Sequence, residues 1–230
     1  ILPDPLKEIL ALDPKWVKKR AEPIACTLRL QSQSGLKRIF HFAFEYAVKH
    51  HYDKVTLADK PNVLRKSSAF ARGIFEEIAS GYPNLKADIL NVDAVGMHLV
   101  TKPQNFGVIV TENMFGDILS DVGAGVMGGL GLAPSANIGA HYRYFEPVHG
   151  SGPLMAPQTA NPSAMIFSLG MLLSHFGYQQ EADWIQNAVL QVIHKKQQVT
   201  RDLGGQASTH DMAQAILQEA KRLWTSQNKS

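Results

Sequence analysis

The 230 residues of this chain are 45% hydrophobic and 19% charged, with a net charge of +3 at pH 7. This balance is typical of a globular protein, and the basic residues are too few and too scattered to favour a nucleic-acid partner. The single cysteine, Cys26, excludes a disulfide within the chain and favours a reducing compartment, so we expect a cytoplasmic protein. The apolar runs are too short and too often broken by glycine to span a membrane.

Apolar periodicity predicts alternating helices and strands along the chain, which is typical of an α/β fold. Before residue 31, four prolines interrupt any long element. Helices are predicted at residues 36–48, 68–80, 94–100, 179–196 and 209–224, around Asp117 and after Ala160. Strands are predicted at residues 54–58, 87–92 and 107–111.

For two of these elements, the sequence predicts either the ends of the element or its burial. The helix after Ala160 has a good N-cap in Asn161, a proline suited to the first helical position in Pro162, and a glycine stop at Gly177. The strand at residues 107–111 is continuously apolar, so we expect it to be buried on both faces.

Asp117 and Asp121 stand four residues apart in a stretch, residues 103–142, that contains no lysine or arginine. On a helix these two side chains lie on one face, where like charges repel. A bound divalent cation is one source of the missing positive charge, because hard cations take oxygen ligands. The alternative is a pair of solvated aspartates on a helix surface.

Other polar groups follow predicted strands or precede predicted helices. They are residues 59–62, which include Lys60 and Asn62, then Asp93, residues 146–153 and residues 202–205. Active sites of open α/β sheets lie at the carboxyl ends of strands, and glycine-rich helix starts favour anions. Each group also has a simpler interpretation as a surface turn or a helix cap. The glycine fingerprint of a Rossmann dinucleotide site is absent.

Taken in order, seven motifs resemble those of the β-decarboxylating dehydrogenases, the family of isocitrate, isopropylmalate, homoisocitrate and tartrate dehydrogenases. The motifs lie at residues 55–64, 92–100, 115–121, 128–135, 145–151, 160–162 and 202–205. The resemblance runs from about residue 36 to the C terminus. It implies the isopropylmalate-dehydrogenase-like two-domain α/β fold without the N-terminal part of the cofactor domain. Residues 1–127 would form the dimerisation and metal-site domain, and residues 128–230 the C-terminal part of the cofactor-binding domain.

The resemblance also implies a role for each polar group. Asp117 and Asp121 would ligate Mg²⁺ or Mn²⁺ from one subunit of a homodimer, and Asp93 would complete the metal site from the partner subunit. Lys60 would act across the same dimer as a catalytic proton relay beside Asp93. The residues that would contact NAD are Asn62, Glu146, His149, Gly150, Ser151, Asn161 and Asp202.

The implied activity is the metal-dependent, NAD-linked oxidative decarboxylation of a small hydroxy acid, a 3-substituted malate. The glycine motif at residues 128–131 resembles the isocitrate and homoisocitrate branch of the family. The motif around Asp93 resembles the isopropylmalate branch instead, so isocitrate, homoisocitrate and 3-isopropylmalate all stay open as substrates.

Three features depart from the family pattern. Pro61 follows Lys60 where the family usually has alanine, and Leu154 stands where NAD-binding members have an aspartate that holds the ribose hydroxyls. Residues 1–30 contain no recognisable version of the arginine motif that grips the malate carboxylates. Leu154 and the missing arginine motif favour a second hypothesis, a catalytically impaired paralogue that acts as a regulatory or structural partner subunit.

Overall fold

The computed structural model describes residues 29–227 continuously and, before them, residues 4, 8, 11–12, 14–17, 23, 25 and 27. Cys26 lies outside the described residues. In the N-terminal part, the described residues include one short helical turn, Pro14–Val17.

A three-stranded parallel sheet organises the first half of the described chain. Its strands are β1 (Lys54–Asp59), β2 (Lys86–Asn91) and β3 (Val108–Val110), in the order β2-β1-β3. The β1 strand lies in the centre, and all its residues except the first are buried. The register aligns Asp59 with Asn91, so the carboxyl ends of β1 and β2 meet at one edge of the sheet.

Four helices connect and cover these strands. They are α1 (Gln33–Lys49), α2 (Arg65–Ala79), α3 (Val92–Thr101) and α4 (Asn113–Met127). A core of buried side chains joins α1 and α2 to the sheet, and its largest members are Phe40, Phe44 and Phe75. The rings of Phe40 and Phe75 meet edge to face with centroids 5.4 Å apart, an arrangement that aromatic pairs prefer.

The second half of the described chain combines an antiparallel hairpin with three helices. The hairpin strands are β4 (Pro134–Ile138) and β5 (Arg143–Pro147), and the helices are α5 (Ser163–His175), α6 (Gln179–Lys195) and α7 (Thr209–Gln227). Short 3₁₀ turns lie at Pro103–Asn105, Leu130–Leu132 and Arg201–Leu203. The α6 and α7 helices share a separate buried core that includes Val189, Met212 and Ile216.

The structure confirms the α/β class and corrects three local expectations. The hairpin β4–β5 was not predicted, and Glu146 lies at the end of β5 instead of in a loop. The expectation that residues 107–111 are buried on both faces is wrong: β3 is an edge strand, and only Val110 is fully buried. Helix α5 begins at Ser163, one residue later than expected, and Asn161 accepts a hydrogen bond from the Ser163 N–H.

None of the described helices is long and apolar enough to cross a bilayer. The division of the chain at residue 127 into two domains stays a prediction.

A buried carboxylate joins α6 to α7. Glu219 on α7 is 7% exposed and lies 2.9 Å from the Lys195 ammonium of α6. Its other oxygen accepts a hydrogen bond from Arg222 Nε at 2.9 Å. Hydrogen bonds from Arg222 and Lys195 lower the pKa of Glu219 to about 2.

Replacing Glu219 with glutamine is expected to lower the free energy of unfolding by about 1–2 kcal/mol at pH 7, because Lys195 and Arg222 lose a carboxylate while solvent still screens both of them. The folded pKa lies below the ordinary value of 4.5, so this stabilisation is complete above pH 4.5 and is lost as the pH falls towards about 2. Urea unfolding of both proteins across this pH range measures the difference.

The matched control is Glu77→Gln, which removes an ion pair between two exposed side chains, Lys37 and Glu77. We expect this change to shift the unfolding free energy by only a few tenths of a kcal/mol, about the value of a surface pair. An equal loss for the two variants would contradict the role given to Glu219.

Candidate active site

Lys60 and Asp93 form an ion pair at the carboxyl edge of the parallel sheet. Lys60 follows β1 directly and Asp93 lies in the first turn of α3, and the register of β1 with β2 brings their side chains to a distance of 2.7 Å. The Lys60 carbonyl accepts the N–H groups of Val63 and Leu64 at 3.1 and 2.9 Å, which closes the turn into α2. The hydrogen bond from Lys60 lowers the pKa of Asp93 below its ordinary value.

Two hydrogen bonds, one buried and one partly buried, hold the end of β1 just before Lys60. The hydroxyl of Ser68 on α2 donates to Asp59 Oδ1 at 2.8 Å, and the hydroxyl of Thr111, which follows β3, donates to the Ala58 carbonyl at 2.7 Å. Asp59 begins the polar group at residues 59–62 that the sequence pattern indicates, but the pattern assigned no role to Asp59 and gave no signal at Ser68.

Asp117 and Asp121 both lie on α4, as the helical spacing predicted, and both are exposed. The start of α4 is capped by the Glu112 carboxylate, which accepts the N–H groups of the next turn. Within the described part of one chain, no three histidine, cysteine, aspartate or glutamate side chains lie close enough to hold a metal ion. One chain therefore brings Asp93 to Lys60 but does not bring Asp93 to the aspartates of α4.

Residues from three of the sequence motifs, 128–135, 160–162 and 202–205, lie together around Asp202. The Asn161 side-chain amide donates to Asp202 Oδ2 at 2.9 Å, and the Thr200 hydroxyl donates to Asp202 Oδ1 at 2.6 Å. Gly131 packs directly against this pair, since a Cβ atom at Gly131 would lie 2.9 Å from the Asn161 Cβ and 3.1 Å from Asp202 Oδ2. Only glycine leaves room for the backbone at this approach.

The hairpin and the segment after it hold Glu146 and His149. The Asn137 amide on β4 donates to Glu146 Oε1 at 3.1 Å across the hairpin. His149 Nδ1 lies 2.9 Å from the Gly150 carbonyl oxygen, which fits a proton on Nδ1. The Val148 N–H donates to the Ala133 carbonyl, so this segment is tied to the start of β4.

The remaining sequence-predicted residues are exposed. Asn62 lies in the turn between β1 and α2, two residues from Lys60, and Ser151 begins the segment that leads to Leu154. Leu154 is 99% exposed, so its side chain has no packing role in the described chain. The side chains at this segment are therefore free to meet a ligand, but Leu154 offers it no polar atom.

Comparison with known proteins decides the family. The sequence matches the family model described as isocitrate/isopropylmalate dehydrogenase over residues 10–216. The chain belongs to the isocitrate/isopropylmalate dehydrogenase family. The match begins earlier than residue 36, so part of the N-terminal segment also belongs to this family.

Individual relatives agree with this assignment. The chain is 59% identical to protein DlpA of Legionella pneumophila, over 96% of this chain and 36% of DlpA. It is 48% identical to the 3-isopropylmalate dehydrogenase of Methanothermobacter thermautotrophicus, over 84% of this chain and 58% of that protein. The crystal structure of isocitrate dehydrogenase from Methylococcus capsulatus superposes with a TM-score of 0.81 at 43% identity, over 84% of this chain and 58% of that chain. The chain thus spans only 36% to 58% of the length of these proteins.

The close packing of Gly131 against the Asn161–Asp202 pair can be tested by substitution. We expect Gly131→Ala to destabilise the protein by about 1–3 kcal/mol, because the added methyl group overpacks against the Asn161–Asp202 pair. Gly125→Ala is the control, since a Cβ atom there meets nothing within 4 Å and alanine favours the helix. Urea unfolding measures both changes, and a neutral Gly131→Ala would contradict the packing described here.

Proposed function

We propose that this protein carries out the metal-dependent, NAD-linked oxidative decarboxylation of a 3-substituted malate. The observation that carries the proposal is the Lys60–Asp93 ion pair at the carboxyl edge of the sheet, where open α/β folds hold their ligands. The family of the chain supports the reaction class. Isocitrate, homoisocitrate and 3-isopropylmalate are the candidate substrates.

The carboxylates fit a hard divalent cation. Asp117 and Asp121 offer oxygen ligands from one exposed helix face, and no lysine or arginine of the described chain forms an ion pair with either of them. Asp93 is the third proposed ligand. A bound Mg²⁺ or Mn²⁺ supplies Lewis-acid polarisation of a substrate carbonyl.

The complete metal site is proposed to form only in a homodimer. Helices α3 and α4 pack together, and their outer faces carry large apolar side chains that are exposed in the single chain. These side chains are Met97, Val100, Met114, Ile118, Val126 and Met127. Exposed apolar surface of this kind favours burial against another chain. In the proposed homodimer, Asp93 of one copy faces Asp117 and Asp121 of the second.

In this proposal Lys60 moves the proton. The side chain of Lys60 is 22% exposed, and its ammonium lies 2.7 Å from Asp93, so it is held at the sheet edge. In its neutral amine form Lys60 would take the proton of the substrate hydroxyl, and the ammonium that results would return a proton to carbon after CO₂ leaves. Bound NAD would accept the hydride from the hydroxyl carbon.

Cofactor binding is proposed for the second half of the chain. The candidate contacts are Glu146, His149, Gly150, Ser151, Asn161 and Asp202, with Asn62 at the nicotinamide end. Leu154 lacks the acceptor oxygens that ribose hydroxyls need, so we expect weak affinity for NAD. NAD is retained as the cofactor because the segment from Glu146 to His149 resembles that of NAD-dependent members.

The exposed Leu154 also supports a second candidate function. A member of the family with weakened cofactor binding can serve as a regulatory or structural partner of a catalytic relative. The two candidates differ in turnover, because only the enzyme reduces NAD when a substituted malate and Mn²⁺ are supplied.

The decisive assay is NAD reduction with isocitrate, homoisocitrate or 3-isopropylmalate in the presence of Mn²⁺. We expect turnover with one of the three and a fall of about 10²- to 10⁴-fold in kcat for Lys60→Met, the range for loss of a general acid–base group. Lys66→Met is the control, because Lys66 is an exposed lysine on the next helix. Absence of turnover with every malate would favour the partner-subunit function.

A further inference from the structure

Asp59 is a buried carboxylate that accepts only one side-chain hydrogen bond among the described residues. It is 7% exposed and ends a strand whose preceding four residues are all buried. Oδ1 accepts the Ser68 hydroxyl at 2.8 Å, whereas Oδ2 has no hydrogen-bond partner in the part of the chain that the structure describes. Burial of a charged group with a single donor is unfavourable, and an apolar residue at this position would avoid the penalty. The fold nevertheless keeps this group next to Lys60.

The partner of Asp59 is equally well buried. Ser68 is 2% exposed on the first turn of α2, and its N–H donates to the Leu64 carbonyl at 2.8 Å. The Asp59–Ser68 hydrogen bond therefore links the last residue of β1 to the helix that follows the Lys60 turn. On the opposite side of β1, Thr111 holds the Ala58 carbonyl.

These bonds leave the backbone at Lys60 little freedom. The carbonyl of Lys60 is occupied by the N–H groups of Val63 and Leu64, and the next residue is Pro61, which restricts the backbone of the residue before it. From this fixed backbone position, the Lys60 side chain extends to Asp93, and its ammonium lies 2.7 Å from the Asp93 carboxylate. A shift of α2 away from β1 would move the turn and lengthen that contact.

We infer that Asp59 is a positioning residue, which acts through Ser68 to hold Lys60 in place against Asp93. The inference rests on the proposed function for the part that concerns turnover. It also has a consequence that does not need turnover, because the loss of the Asp59–Ser68 bond exposes Lys60 to reagents in solution.

The first test is kinetic. Ser68→Ala and Asp59→Ala are expected to lower kcat by about 10- to 100-fold, the effect of a misplaced catalytic group, with a change in KM of less than about twofold. Asp59→Asn is expected to retain most of the activity, because its amide oxygen still accepts from Ser68. Residue 59 lines a cavity of about 50 Å³ together with Gln31, whose Oε1 is a buried acceptor without a partner among the described residues.

The matched control is Ser168→Ala. Ser168 is 1% exposed on α5, and its hydroxyl donates to the Ala164 carbonyl at 2.8 Å, so the change also removes one buried serine hydroxyl. It lies on a helix of the second half of the chain. We expect it to alter stability only, with kcat and KM unchanged.

The second test measures the reactivity of the Lys60 amine. An amine-selective reagent is applied to the folded protein without substrate, and labelling at Lys60 is quantified by mass spectrometry relative to Lys66. We expect several-fold faster labelling of Lys60 in Ser68→Ala and no change in Ser168→Ala. Faster labelling in an enzyme without turnover would support the positioning role and would refute only the proposed function. Equal labelling in Ser68→Ala and Ser168→Ala would overturn the inference.

Discussion

The parallel register of β1 with β2 is the constraint on which the site depends. It aligns Asp59 with Asn91, and this alignment places Lys60 and the first turn of α3 at the same edge of the sheet. The 2.7 Å contact between Lys60 and Asp93 follows from that alignment, and a slip of one residue would send the side chains to the opposite faces. The buried Asp59–Ser68 bond fixes the same edge from the side of α2. A rigid sheet thus holds the residues proposed to move the proton.

The distribution of charge supports the proposal that two copies of the chain form the site. Asp117 and Asp121 repel each other on α4, and the segment around them supplies no cation. The third carboxylate, Asp93, is already paired with Lys60 in the same chain. A second copy, buried against the apolar faces of α3 and α4, would bring an Asp93 to the other pair and create a compact oxygen site. The exposed apolar surface and the two α4 carboxylates, which have no ion-pair partner among the described residues, both support the proposed homodimer.

The sequence predicted the elements whose pattern is periodic and missed those whose pattern is not. Helices such as α4 and α6 were predicted because their apolar residues recur at helical spacing. The β4 strand begins with Pro134 and contains Ser135 and Asn137, so it shows neither alternation nor strong strand propensity. The meeting of Gly131, Asn161 and Asp202 joins positions far apart in the chain, which no local pattern encodes. The burial of Asp59 depends on the sheet order, which periodicity does not give.

A mixing experiment tests whether two copies of the chain share the proposed metal site. Asp93→Asn and Asp117→Asn variants are prepared separately, and Mn²⁺ binding is measured by titration calorimetry for each variant and for an equimolar mixture that has been unfolded and refolded. The account predicts no binding by either variant alone and recovery of about a quarter of the wild-type capacity in the mixture, because half of randomly formed dimers contain one intact site. Binding by each variant alone, or no recovery in a mixture that refolds to dimers, would contradict it.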